Sequence, residues 1–176
     1  MRKPVRYPMG SISSGTMRPE LIPEFCSQLE TLARQPGIVA HKTRKEHRKL
    51  VREIEARIEN EREFEDSDLG IEGRADDDLA DLFDALNEYS GPYFYFGSHP
   101  RDGADYGWWL SEDWEENFTR KIPARAEHIQ GEGLIVSGIE EVPAWWRGEV
   151  AVISDHGNIS LFAKTSRALR EIWGVV

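Results

Sequence analysis

The spacing of apolar residues changes abruptly at Gly91-Pro92, and this change limits the possible folds more than any other feature of the sequence. Before it, apolar residues recur every three or four positions, as they do on one face of a helix. After it, they form short aromatic and β-branched runs, which are typical of strands. The sequence therefore predicts an α+β fold, with N-terminal helices packed on a C-terminal meandering antiparallel sheet.

At 176 residues, of which 39% are hydrophobic, the chain has enough apolar material for one core. We expect an irregular arm over residues 1–15 and a single α+β domain over residues 16–176, helical to about 90 and sheet-forming from 91. The predicted helices are 16–35, 42–64 and 76–89. The predicted strands are 93–96, 106–110, 134–137, 149–154, 158–163 and 168–176.

Two connections have specific turn signals. His156-Gly157 lies between two runs of alternating apolar residues and predicts a two-residue hairpin turn. Ser111, followed by acidic residues and Trp114, predicts a capped helical turn between strands.

Composition excludes several classes of protein. The formal net charge of -10 argues against a general nucleic-acid binder or a protein of anionic membrane surfaces, because both present basic surface. The only cysteine, Cys26, cannot form an intramolecular disulfide, and the first residues lack the apolar run of a signal peptide. No stretch approaches the roughly 20 apolar residues of a membrane span. We therefore expect a cytoplasmic protein.

The charge is unevenly distributed. Residues 61–116 hold eighteen acids against three arginines, whereas residues 1–60 carry a net charge of +5 and the remainder balances. The second predicted helix is basic in its first half and acidic in its second, an order that opposes the helix macrodipole. This order is weak support for contact with a partner, and a solvated face is the preferred explanation.

The third predicted helix has an acidic face. Asp77, Asp81, Asp84 and Glu88 follow one another at three- and four-residue intervals, opposite a run of leucines. Like charges at this spacing repel, and no lysine or arginine interrupts them. We predict that these residues bind a partner together with a second acidic group, which consists of Glu112, Asp113, Glu115 and Glu116. The alternative is that the acidic face is only solvated.

A second candidate site is the loop over residues 97–107. His99, Asp102 and Asp105 offer a nitrogen and two carboxylates, which suit a divalent metal or a general base. Asp and Gly are also ordinary turn residues, and the spacing matches no known metal motif. With one cysteine and no His-Glu-x-x-His motif, the sequence predicts no metal site and no cofactor.

Two other residue types have simpler explanations. Cys26 lies on the apolar side of the first predicted helix and is expected to be a core thiol. In each of the pairs Trp108-Trp109 and Trp145-Trp146, one side chain is expected to face the core and the other to face outward if the segment is a strand. The outward side chain could anchor a partner, but packing under a helix or long loop is the simpler explanation.

Segments at both ends and in the middle of the chain resemble small acidic proteins of phages, prophages and plasmids to which no function is assigned. The resemblance implies an accessory protein acting in the host cytoplasm, and it brings no catalytic residue with it. The segments are Tyr7-Pro-Met-Gly-Ser-Ile-Ser-Ser-Gly-Thr-Met-Arg-Pro-Glu, Tyr93-Phe-Tyr-Phe-Gly, Asp155-His-Gly-Asn-Ile-Ser-Leu-Phe and Arg170-Glu-Ile-Trp.

Three functions follow as hypotheses. The favoured one is a non-enzymatic inhibitor of a host nucleic-acid-handling defence complex, in the style of acidic anti-CRISPR or antirestriction proteins. Its acidic face would occupy the basic nucleic-acid-binding surface of a host protein, without direct contact with nucleic acid or membrane. The second is a small-ligand or metal-dependent enzyme that uses the His99 loop, and the third is a phage scaffold or regulatory protein. Oligomeric state is left open.

Overall fold

The structure is a computed structural model, and it describes residues 7–15, 19–63, 71–127 and 132–174. Predictions that fall on residues 1–6, 16–18, 64–70, 128–131 and 175–176 lie outside the described residues. Contacts between residues divide the chain into two units, Met1–Ser111 and Glu112–Val176. The α+β class is confirmed, since helices precede most of the strands along the chain.

Unit 1 (Met1–Ser111) contains three α-helices and a three-stranded sheet. The predicted second helix is confirmed to within one residue at each end, and the third begins five residues earlier than predicted. The elements are β1 (Gly10–Ser14), α1 (Ile22–Arg34), α2 (His41–Glu63), α3 (Ile71–Asn87), β2 (Phe94–His99) and β3 (Asp102–Leu110).

The core of unit 1 joins one face of each helix to one face of the sheet. Leu29 of α1, Ile54 of α2 and Leu82 of α3 are fully buried, as the helical spacing predicts. The ring of Phe96 on β2 lies 4.8 Å from that of Trp108 on β3. Burying a side chain of this size stabilises the fold by about 1.5–3 kcal/mol. The sheet therefore fixes the helices through packing.

Residues 10–14 correct one prediction, because they form strand β1 and are not irregular. β1 pairs antiparallel with β3, with Gly10 opposite Trp108, and the sheet order is β1-β3-β2. Gly107 allows this close approach: a Cβ atom on it would lie 2.7 Å from the carbonyl carbon of Gly10 and 2.8 Å from the Cα of Ser11. Only a residue without a side chain fits there.

Unit 2 (Glu112–Val176) corrects the prediction of one meandering antiparallel sheet. Its five strands form a separate sheet in the order β4-β5-β6-β7-β8, in which β5 is parallel to both β4 and β6 and the later pairs are antiparallel. Parallel neighbours need long connections, and about a dozen residues separate each of these pairs. The strands are β4 (Phe118–Thr119), β5 (Gly133–Val136), β6 (Gly148–Ile153), β7 (Ile159–Lys164) and β8 (Leu169–Gly174).

The hairpin between β6 and β7 is confirmed, although its loop is longer than predicted. The amide of Ser154 donates to the carbonyl of Asn158 at 2.9 Å, which leaves three residues in the loop. Gly157 has a φ of 79°, in the left-handed region that favours glycine. None of the helices in the described part of the chain combines the length and the apolar character needed to cross a bilayer.

Candidate acidic interaction surface

Three carboxylates of the predicted acidic face of helix α3 are exposed to solvent. Asp77, Asp81 and Asp84, here called the acidic triad, are all exposed, and the opposite face of the helix is buried. At about 1.5 Å of rise per residue the triad is roughly 10 Å long. Packing of the apolar face fixes the direction in which the three carboxylates point.

Among the side chains that the structure describes, which do not include those of residues 61–63 and 71–74, none places a cation beside the acidic triad. No Lys, Arg or His nitrogen of these side chains lies within 4.0 Å of its oxygens. Arg57 of α2 pairs instead with Asp78, whose side chain is largely buried. Among the described side chains, Asp78 thus joins two helices, whereas the acidic triad faces water without such a pair.

Glu88 differs from the other residues of the predicted acidic face. It lies one residue beyond the end of α3, and its carboxylate Oε1 is 3.4 Å from Nε2 of His47 on α2. The His47 side chain is only 7% exposed, whereas that of Glu88 is 54% exposed. Glu88 therefore serves a contact between elements of unit 1, and a role for it in partner binding stays a prediction.

His47 also contacts Tyr89, and sequence reasoning missed this pair. Nδ1 of His47 lies 3.1 Å from the Tyr89 hydroxyl. Burial raises the pKa of Tyr89 to about 12, and the charge of Glu88 acts in the same direction while Arg44 and Arg48 oppose it. The phenol stays protonated at neutral pH. Which group donates depends on the histidine tautomer: with the proton on Nε2, facing Glu88, Nδ1 accepts from the Tyr89 hydroxyl.

The sequence did contain a signal for this histidine. His47 precedes Val51 and Ile54 by four and seven residues, so it occupies the buried stripe of α2. A histidine on such a stripe needs a polar partner in the core, because a buried nitrogen without a hydrogen bond is costly.

The second predicted acidic group lies in unit 2. Glu112, Asp113 and Glu116 are exposed, whereas Glu115 pairs with Arg120 at 2.6 Å. The predicted helical turn is confirmed as a short 3-10 turn, Trp114–Asn117, but no side chain caps it. Because α3 belongs to unit 1, a single surface made of both acidic groups stays a prediction.

The predicted loop of His99, Asp102 and Asp105 is a tight hairpin. Strand β2 continues to His99 and β3 begins at Asp102, so only two residues connect them. The backbone amide of Arg101 donates to Nδ1 of His99 at 3.1 Å, and that of Ala104 donates to Asp102 at 3.0 Å.

The third member of that predicted site is also engaged. Asp105 accepts a hydrogen bond from the Ser11 hydroxyl of β1. Within the described ranges, no group of three or more His, Cys, Asp or Glu side chains is arranged to hold a metal ion. The polar groups of this hairpin therefore serve turn and strand contacts.

The cysteine and one tryptophan pair lie where the sequence predicts. Cys26 is 2% exposed, and burial, with the charges of Glu55 and Asp78, raises the pKa of its thiol to about 12. A thiol held in its protonated form is a poor nucleophile. Trp108 is fully buried, whereas Trp109 is half-buried and its Nε1 donates to the carbonyl of Gly97 at 2.9 Å.

The other tryptophan pair lies outside the strands, in the segment before β6. Trp146 is nevertheless fully buried and Trp145 half-buried, so one residue of the pair faces the core as expected.

No match was found when the chain was compared with models of protein families, with curated proteins and with solved structures.

Proposed function

We propose that the chain is a non-enzymatic acidic binding protein of a phage or mobile element. It acts in the host cytoplasm on a nucleic-acid-handling defence complex, in the style of anti-CRISPR or antirestriction inhibitors. The acidic triad occupies the basic surface on which that complex holds nucleic acid. The observation that carries the proposal is the exposure of three carboxylates on one helix face, without a cation near any of them among the described side chains.

Electrostatic complementarity supplies the physical reason. The triad places a carboxylate about every 5 Å, whereas a DNA strand places a phosphate about every 3.4 Å along its axis. The triad is therefore a sparser line of negative charge than DNA, and it fits a groove of lysines and arginines through discrete pairs. Repulsion within the triad costs a few tenths of a kcal/mol per pair in the free protein, and a basic partner offsets that cost.

Rigid presentation adds to the case. Leu82 and Leu86, on the apolar face of α3, are fully buried, so the carboxylates do not need to be ordered on binding. The enzyme hypothesis has weaker support, because the hydrogen bonds of His99, Asp102 and Asp105 serve a hairpin and a strand pair.

The test compares two variants that change the net charge by the same amount. Asp77→Lys/Asp81→Lys/Asp84→Lys reverses the triad, and the control reverses three exposed glutamates on other helices, Glu24→Lys/Glu55→Lys/Glu59→Lys. Each protein is immobilised and exposed to host lysate, and the captured protein is then purified and assayed on its nucleic-acid substrate.

The proposal expects capture of a nucleic-acid-handling protein that is lost with the triad variant, retained with the control and displaced by added DNA or RNA. The natural chain should also inhibit the purified partner. Equal capture by both variants, capture that nucleic acid does not displace, or no capture by the natural chain contradicts it.

A further inference from the structure

The first half of α2 carries a row of three arginines. Arg44, Arg48 and Arg52, here called the arginine row, are spaced four residues apart along one side of the helix. Nε of Arg48 donates to the carbonyl of Arg44 at 3.3 Å, and Nε of Arg52 donates to that of Arg48 at 3.1 Å. These bonds hold two of the guanidinium groups along the helix, so less side-chain entropy is lost when they meet an anion.

The arginine row is not neutralised. No carboxylate oxygen of the described residues lies within 4.0 Å of any of its three guanidinium groups. Two of the neighbouring lysines are paired: Lys42 lies 3.7 Å from Glu46, and Lys49 lies 3.2 Å from Glu53.

The position of the row on the helix increases its need for an anion. The N-terminal end of a helix already carries about half a positive charge, and the first turn of α2 contains no acidic residue to offset it. The row is therefore a preformed cationic surface without its anion.

The acidic triad matches this surface in length and charge. Eight residues separate the ends of the row and seven separate the ends of the triad, which correspond to about 12 Å and about 10 Å of helix. Arginine binds carboxylate with two parallel hydrogen bonds, so three discrete pairs can form. The net charge of -10 opposes the approach of a nucleic acid and of a second copy alike, so binding depends on the local match between the two surfaces.

We propose that the arginine row of one copy of the chain binds the acidic triad of a second copy. The pairing is between molecules, because no oxygen of the triad lies within 4.0 Å of the arginine row, or of any other arginine whose side chain the structure describes. Each copy offers one surface of each sign, so the contact either closes into a symmetric assembly or continues from copy to copy. This inference does not depend on the proposed function.

The experiment is sedimentation velocity on the purified full chain over a range of concentrations. Salt screens exposed charge pairs, and the Debye length falls from about 14 Å at about 50 mM salt to about 6 Å at about 300 mM. We expect concentration-dependent association at the lower salt and a dissociation constant about tenfold higher, or more, at the upper salt.

A charge swap identifies the surfaces. Arg48→Glu/Arg52→Glu makes both surfaces acidic, and Asp77→Lys/Asp81→Lys/Asp84→Lys makes both basic. Each variant alone should sediment as a monomer, and an equimolar mixture should associate again. Arg48→Gln/Arg52→Gln, which only removes charge, should also be monomeric and replaces the Glu variant if circular dichroism shows that the latter is unfolded.

Several results overturn the inference. A natural chain that stays monomeric at the lower salt, or a mixture of reversed variants that does not associate, excludes the contact. A third result also excludes the contact. If the natural chain does not self-associate but binds a fluorescent duplex DNA, and Arg48→Gln/Arg52→Gln loses that binding, the arginine row binds nucleic acid.

The same Gln variant separates this inference from the proposed function. It loses self-association but should retain capture of the host partner, which depends on the triad. Failure of capture in the natural chain, with self-association intact, refutes the proposed function alone.

Discussion

Removing the hydroxyl of Tyr89 tests whether the buried contact with His47 fixes α2 to the end of α3. The substitution Tyr89→Phe keeps the ring and deletes one hydrogen bond to a histidine that is 7% exposed. It leaves Nδ1 of His47 buried without a partner, which costs about 1–3 kcal/mol. For a unit of this size, each kcal/mol lowers the melting temperature by roughly 4–8 °C.

The assay is urea unfolding followed by the helical circular dichroism signal. Within the described residues all three α-helices belong to unit 1, so this signal reports the unit that contains the contact. Tyr95→Phe is the matched control: the hydroxyl of Tyr95 donates to the carbonyl of Ser98 at 3.0 Å and is less buried. We expect its cost to be under about 1 kcal/mol.

A double-mutant cycle with His47 tests whether the effect of Tyr89→Phe depends on the histidine. In a His47→Leu background the hydroxyl of Tyr89 is itself left without a partner, so Tyr89→Phe should become neutral or stabilising. A coupling energy below about 0.3 kcal/mol, or equal losses for Tyr89→Phe and Tyr95→Phe, refutes the reasoning.

Three further predictions concern other parts of unit 1. Gly107→Ala should release strand β1 from β3, and amide hydrogen exchange in residues 10–14 should become faster. Gly103→Ala is the control and should not change this exchange, because a Cβ there meets nothing within 4 Å. Equal exchange in both variants contradicts the prediction. Cys26 and Tyr89 hold protons more tightly when folded, so stability should be full below pH 9.0 and fall as the pH rises toward about 12, measured as the urea midpoint; an unchanged midpoint across this range is the contrary result. Asp102→Ala should lower the free energy of unfolding in urea by about 1 kcal/mol or less and leave capture of the host partner unchanged. Loss of capture in a folded variant would show that the hairpin takes part in binding.

The helices were predictable because the spacing of their apolar residues can be read from neighbouring positions in the sequence. Leu79, Leu82 and Leu86 of α3 follow the period of the helix and are all buried, so the exposure of the acidic triad on the other side also follows from the sequence. The positions of most strands were predictable in the same way, from aromatic and β-branched runs.

Pairing between distant segments was not predictable. Strand β1 has the sequence Gly-Ser-Ile-Ser-Ser, without alternating apolar residues, and its partner lies more than 90 residues away. The division into two sheets and the parallel pairs of β5 depend on the same kind of distant contact. At the candidate site, the pairing of Glu88 with His47 and of Asp78 with Arg57 decides which carboxylates remain unpaired, and only the tertiary structure shows this.

The pairing of β1 with β3 has a consequence for synthesis on the ribosome. The Ser11–Asp105 contact spans 94 residues, so β1 leaves the ribosome long before the strand that receives it. At roughly 5–20 residues per second, translation of the intervening chain takes about 5–20 s. During that time α1 and α2 can pack against each other, but the sheet that covers part of their apolar faces is incomplete. Strand β1 is thus synthesised before β3 but joins the edge of the sheet only after β3 is complete.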